Sequence, residues 1–239
     1  MIAQGELAAE AGEYPRVGSD EAGKGDYFGP LVVAAVAVLD REGATRLLQA
    51  GVADSKRLSD ARCRELAEMI RQEYPCEVVE ISPGRYNELY ARIGNLNRLL
   101  AWAHARALEN LLARLPAGSP VAVLVDQFAP AAVLERALFA GARKARVTTL
   151  PRGERNVEVA AASVLARATF LAGLERLSQA FGVRLPKGAT HVLDQARVIW
   201  DMGGETALRQ VAKWHFRTTQ QLLAAVCATQ PELWGKPEE

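Results

Sequence analysis

Residues 18–30, GSDEAGKGDYFGP, with the apolar run LVVAAVAVL at 31–39 directly behind them, decide how this chain is read. Asp20 and Glu21 close a short β-rich run at 17–20, and a lysine framed by glycines, Gly23-Lys24-Gly25, precedes the second, longer run. Two such runs around a glycine-rich turn predict a pair of strands, with Pro30 and the glycines confined to their ends. Carboxylates at the mouth of a core strand repel one another and lose hydration, so they call for a compensating cation. Neighbours on a regular strand point to opposite faces, so Asp20 and Glu21 serve one site only if the strand distorts there. Distortion is expected over 21–25, where Gly23 and Gly25 permit it.

Outward from this stretch, helix and strand alternate. Residues 59–72, SDARCRELAEMIRQ, open on a Ser cap and carry apolar residues at helical period. A strand at 76–81, a short helix at 83–92 and a long Ala- and Leu-rich helix at 95–115 follow. VAVLV at 121–125 is a buried strand ending at Asp126; then come a helix at 130–140, a strand at 145–150 and a helix at 157–180 that stops at Gly182. Residues 190–227 hold two or three more helical segments and no strand. The sum is an α/β fold, a mixed sheet of roughly five strands flanked by helices with a helical C-terminal region. We expect a short N-terminal extension at 1–16, one catalytic domain at 17–228 and a C-terminal tail at 229–239.

Composition narrows the function classes. With 29 Lys and Arg against 28 acids the net charge is +1, so a uniformly basic nucleic-acid binder is excluded and a charged partner must meet a local patch. Cys63, Cys76 and Cys227 form no CxxC pair, which argues against a zinc knuckle or a disulfide framework. The longest apolar run, 31–39, is too short to span a bilayer, and no signal peptide is visible. A cytoplasmic protein with no membrane partner is expected.

The chemistry concentrates at strand ends, where open α/β sheets build their sites. Asp20 and Glu21 close the first strand, Asp126 closes VAVLV, and Glu154 follows the last strand in PRGERN. Any one such acid is more often a helix or turn cap, but four together form an oxygen-rich set. Hard oxygen ligands select Mg²⁺ or Mn²⁺, and two such ions about 3.5–4 Å apart serve in-line phosphodiester cleavage. Gly23-Lys24-Gly25 leaves room for a nucleic-acid backbone, and Ser55 and Lys56 in DSK, with Lys187 in LPKGAT, add phosphate-binding groups. Arg143, Lys144, Arg146, Arg152, Arg155 and Arg167 surround Glu154 in sequence and form a candidate basic patch. His104 and His191 read as structural, leaving His215 in KWHFRT as the histidine beside a plausible site, while Trp214 and Phe216 read as core.

Taken together, GSDEAGKGDYFGPLVVAAV, DSKRLS, YNELYARIGNLNRLLAWAHARAL, VDQF, VEVAAASVLARATFL, LPKGAT and AKWHF resemble the type 2 ribonucleases H, and among them ribonuclease HIII. GDYFGP and IGNLNRLLAWAHA carry the distinction from ribonuclease HII. The resemblance spans about residues 18–219 and implies an RNase H-like fold. It implies an endonuclease that hydrolyses the RNA strand of RNA/DNA hybrids with Mg²⁺ or Mn²⁺, leaving 5′-phosphate and 3′-hydroxyl ends; separately, a monomer is expected. By motif, Asp20, Glu21 and Asp126 would bind metal, and Glu154 would be the fourth acid. Glu158 is the alternative, because PRGERNVEVAAAS is one residue shorter than the family pattern. Gly23, Lys24 and Gly25 match the motif that meets RNA 2′-hydroxyls, Ser55, Lys56 and Lys187 would be further substrate contacts, and Asp26 would be a turn residue. Ribonuclease HIII usually carries an N-terminal TBP-like domain; only sixteen residues precede the motif here, so weak, salt-dependent hybrid binding is expected. The alternatives are HII-like incision at single ribonucleotides in duplex DNA, or a catalytically weak hybrid-binding protein.

Overall fold

The computed structural model describes residues 14–116 and 121–229. The expected extension, apart from its last three residues, and the tail beyond Thr229 lie outside the described residues. Five strands form one mixed sheet in the order β3-β2-β1-β4-β5. They are β1 (Arg16–Ala22), β2 (Leu31–Val38), β3 (Cys76–Ile81), β4 (Ala122–Asp126) and β5 (Arg146–Leu150). The first three are antiparallel, and β4 and β5 join β1 in parallel.

Every residue of β2 is buried, and its alternate residues enter two different cores. Val32, Ala34, Val36 and Val38 face one, whereas Leu31, Val33, Ala35 and Ala37 face the other. An unbroken apolar run is what a strand needs when both faces of its sheet are covered.

Helices supply the covers. They are α1 (Arg41–Gln49), α2 (Asp60–Glu73), α3 (Pro83–Ile93), α4 (Leu96–Leu112), α5 (Ala131–Ala137), α6 (Val157–Phe181), α7 (Leu193–Val211) and α8 (Arg217–Thr229). Helix α6 lies directly on β1, and Gly18 is the reason it can: a Cβ there would stand 2.1 Å from the Glu158 carbonyl carbon. By length and composition α6 could cross a membrane, but its apolar surface is buried against the sheet and α2. Helix α1 escaped the sequence reading, although Asp40 caps it by accepting from the Gly43 amide at 2.7 Å. Its nine residues, REGATRLLQ, bury only Gly43, Ala44 and Leu47, so a clear but very short apolar face was easy to pass over. In the C-terminal region α7 kinks at Gly203-Gly204, and among the described residues the only strand-like contact there is an isolated bridge between Phe28 and Ala212.

The expected strand distortion does not occur. Pairing with β2 runs in register from Arg16↔Val38 to Ala22↔Val32, and the chain turns only at Gly23, with φ +85°. Gly25 has no left-handed φ. The alternation therefore holds: Ser19 and Glu21 meet His104 on α4, whereas Gly18 and Asp20 face α6.

Candidate active site

The two acids reach a common site because a neighbouring strand stops, not because β1 bends. Pairing of β1 with β4 ends at Ser19↔Val125, so Asp20 and Asp126 are the next residues in register, at the edge where the sheet opens. In front of them lies a cleft of about 570 Å³. It is lined by Glu21, Gly23, Lys24, Gly25, Ser55, Lys56, Asp126 and Lys187, together with Asp26, Gln127, Arg167 and Phe170. Of the four predicted acids Glu21 and Asp126 line this cavity and Asp20 and Glu154 do not, while Lys24, Ser55, Lys56 and Lys187, far apart in sequence, share it.

Asp20 is only 8% exposed. Its carboxylate accepts from the Glu21 amide at 2.7 Å and from the Ser163 hydroxyl. Burial, reinforced by the Glu21 and Asp126 carboxylates, pushes Asp20 up to about 8. Burial acts on Glu21 in the same direction, but the hydrogen bond and charge of His104, together with Lys24, outweigh it and hold Glu21 below its ordinary value. Asp126 is raised, chiefly by desolvation and then by Glu154 and Glu21, against the Gly153 amide that donates to its Oδ1 at 2.8 Å. That amide is presented by a tight 3-10 turn, Gly153–Arg155, entered through Arg152 in the left-handed region at φ 57°. The same turn holds Glu154 close enough to raise Asp126. Glu158 instead stands at the other end of β1, 1% exposed and 3.6 Å from Arg16.

The remaining predicted contacts divide by environment. Lys56 is exposed at the cleft. Ser55 is 5% exposed, and its hydroxyl lies 2.8 Å from Ser163, which in turn bonds Asp20. Lys187 and Arg167 both bind Asp60, at 2.6 and 2.7 Å, so one carboxylate holds two cations at the cleft wall. Of the basic residues read as a patch around Glu154, only Arg167 lines the cleft.

Three readings change. His215 stacks on Tyr90 with ring centroids 4.0 Å apart and does not line the cleft. His104, read as structural, is the histidine that touches an acid, with Nε2 3.2 Å from Glu21 Oε2. Its partner is 83 residues away, so nothing local in the sequence signals it. Asp26 is more than a turn residue, since its Oδ1 accepts from the Gly188 amide at 2.6 Å and ties the Lys187 loop to the GKG turn. Lys213, fully buried, donates to the carbonyls of Asp26 at 2.8 Å and Gly29 at 2.7 Å.

The donors are all hard oxygens, and Asp20 is pushed up to about 8 by burial first and by the Glu21 and Asp126 carboxylates second, an environment in which its anion is costly without a cation. That chemistry fits a divalent cation such as Mg²⁺ or Mn²⁺. Among the described residues no three or more His, Cys, Asp or Glu side chains come together as a ready-made metal site.

Known proteins are similar to this chain over most of its length. The family profile of Ribonuclease HII matches residues 17–219. Ribonuclease HIII of Chlamydia pneumoniae is 42% identical over 210 residues, covering 87% of this chain and 70% of that protein. The crystal structure of Bst-RNase HIII in complex with Mn²⁺ superposes with a TM-score of 0.83 at 36% identity, covering 92% of this chain and 72% of that one. The ribonuclease H2 of Pyrococcus horikoshii OT3, at 22% identity and a TM-score of 0.72, shares the fold.

Proposed function

Because the chain belongs to the type 2 ribonuclease H family and matches its ribonuclease HIII members over most of its length, we propose that it cleaves the RNA strand of RNA/DNA hybrids endonucleolytically, leaving 5′-phosphate and 3′-hydroxyl ends. The observation that carries this reading is the single cleft in which a backbone-accessible GKG turn, the cations Lys24, Lys56, Arg167 and Lys187, and the acids Glu21 and Asp126 face one another.

Asp20, Glu21, Asp126 and Glu154 would hold Mg²⁺ or Mn²⁺ at the sheet edge. When bound, the ions supply Lewis-acid stabilisation of the charge that develops at the scissile phosphate and its leaving oxygen. The protein's own groups set the geometry. The Gly153 amide fixes one oxygen of Asp126, and the Glu21 amide fixes one oxygen of Asp20. Gly23 turns the chain in a left-handed conformation that brings Lys24 and the bare backbone of Gly25 to the cleft, where ribose 2′-hydroxyls would be met. Lys56 and Lys187 would hold flanking phosphates. For the fourth acid, proximity to Asp126 favours Glu154 over Glu158, whose carboxylate pairs with Arg16.

Cleavage of a continuous RNA/DNA hybrid with Mg²⁺ or Mn²⁺ is the test, run beside a duplex with one embedded ribonucleotide because the matching profile is that of Ribonuclease HII. Asp126→Asn and Glu154→Gln are expected to abolish cleavage while the fold is kept, and Glu158→Gln to retain it. Full activity in Asp126→Asn would refute the proposal.

A further inference from the structure

We infer that His104 is a positioning residue for the acids of the cleft: from beneath the sheet it aims the Glu21 carboxylate and couples it to the segment that carries Asp126. The inference rests on the reading of Glu21 and Asp126 as metal-binding acids, and deepens it.

His104 is fully buried in α4, on the stripe that also holds Leu100 and Leu108, both fully buried. Packing alone would be served there by another apolar side chain, and a buried imidazole is costly unless both ring nitrogens are matched. Both are. Nδ1 lies 2.8 Å from Ser19 Oγ and Nε2 3.2 Å from Glu21 Oε2.

The hydrogens can be counted. Ser19 Oγ also lies 2.9 Å from the carbonyl of Ala34, and its one hydrogen goes either there or to Nδ1. In the first case Nδ1–H donates to Ser19, and a hydrogen on Nε2 as well makes the ring an imidazolium; in the second Nδ1 accepts and the neutral ring carries its one hydrogen on Nε2. Either way Nε2 must carry a hydrogen, because a lone pair aimed at a carboxylate would be repelled. The donor toward Glu21 is therefore present whichever way the serine turns, and it fixes Oε2 while Lys24 approaches Oε1 at 3.5 Å. This matters because Glu21 projects from the face of β1 opposite to Asp20, and something beneath that face must direct it to the open edge.

The ring has a second neighbour. Phe128, two residues beyond Asp126, stacks on it with centroids 4.8 Å apart and planes 3° from parallel. One imidazole thus contacts the exits of both acid-bearing strands, β1 and β4. Partners of this kind orient metal-binding side chains, and their loss typically costs about 10–100-fold in metal affinity or activity.

The test measures Mn²⁺ binding by calorimetry beside hybrid cleavage. His104→Phe keeps a ring for Phe128 and removes the donor; Mn²⁺ affinity is expected to fall about tenfold, with kcat lowered and metal-free hybrid affinity unchanged. His104→Gln, which retains an N–H donor, is expected to restore much of both. A folded His104→Phe protein that binds Mn²⁺ as the unmodified chain does would overturn the inference. Should that variant not fold, nitrogen NMR of the unmodified chain decides: saturation with Mg²⁺ is expected to shift the His104 Nε2 resonance, and an unmoved resonance refutes the role. Glu21→Gln separates the two readings. If it too leaves Mn²⁺ binding intact, the assignment of Glu21 fails and this inference with it; if it weakens binding while His104→Phe does not, only the positioning role falls.

Discussion

At Gly25, fold and function can be separated with a single methyl group. A Cβ there meets nothing within 4 Å, and the backbone is outside the left-handed region, so alanine strains nothing in the protein. Gly25→Ala is expected to leave the melting temperature within experimental error while lowering hybrid cleavage, since the methyl would occupy space that the RNA backbone needs. Unchanged cleavage would remove Gly25 from the substrate contacts. Asp20 yields a prediction about pH. Its folded value, about 8, lies far above that of a free carboxylate, so between roughly pH 4 and pH 8 the native protein holds a proton that the unfolded chain releases. Stability of the metal-free protein should therefore fall as pH rises through that window, by up to about 1.4 kcal/mol per unit, and Asp20→Asn should flatten the fall. Binding of a divalent cation requires the carboxylate, so its affinity should rise with pH up to about 8. Thermal melts in chelator, with and without the substitution, check the first part; parallel curves for the two proteins would contradict it.

The strand β1 shows what the sequence revealed and what it hid. Its position, its acids and the glycine turn behind it were legible, because apolar runs, glycine and charge are local signals. The way its two acids reach one site was not, since that depends on where β4 ends and on a histidine in α4. Adjacent carboxylates suggested a bent strand; the observed answer is a regular strand that outruns its parallel neighbour. Regularity here rests on α6 lying close against Gly18, where an added Cβ would stand 2.1–2.3 Å from backbone atoms of Glu158 and Val159. Neither element can yield without moving Ser163 relative to Asp20. Gly18→Ala is expected to cost at least about 2 kcal/mol in urea unfolding, at the upper end of overpacking effects, and to impair cleavage in the protein that still folds. The GDYFGP turn is equally constrained. The buried Lys213 ammonium satisfies two of its carbonyls, so Lys213→Met should leave them unpaired, at about 1–3 kcal/mol each. A stability loss below about 1 kcal/mol would mean that water replaces the ammonium.

For the molecule as a whole, nearly balanced charge conceals a directional one. The net charge is +1, yet four cations, Lys24, Lys56, Arg167 and Lys187, line a single cleft. The sequence identified Lys24, Lys56 and Lys187 by motif, but placed Arg167 in a patch around Glu154; only the packing of α6 against α2 brings it to the cleft beside Asp60. The cleft rather than the general surface should then govern how hybrid affinity depends on salt. If each of the four neutralises about one phosphate, the logarithm of the association constant should fall with the logarithm of salt concentration at a slope of about −3 to −4. Lys187→Ala should weaken binding to all sequences alike and reduce the slope by about one. Catalysis by the bound complex should change far less, because Lys187 lies with Asp60 at the cleft wall and not among the acids. Fluorescence anisotropy over a salt series, in chelator so that no strand is cut, measures both slopes. A slope near zero, or one that Lys187→Ala leaves untouched, would move the binding surface away from this cleft.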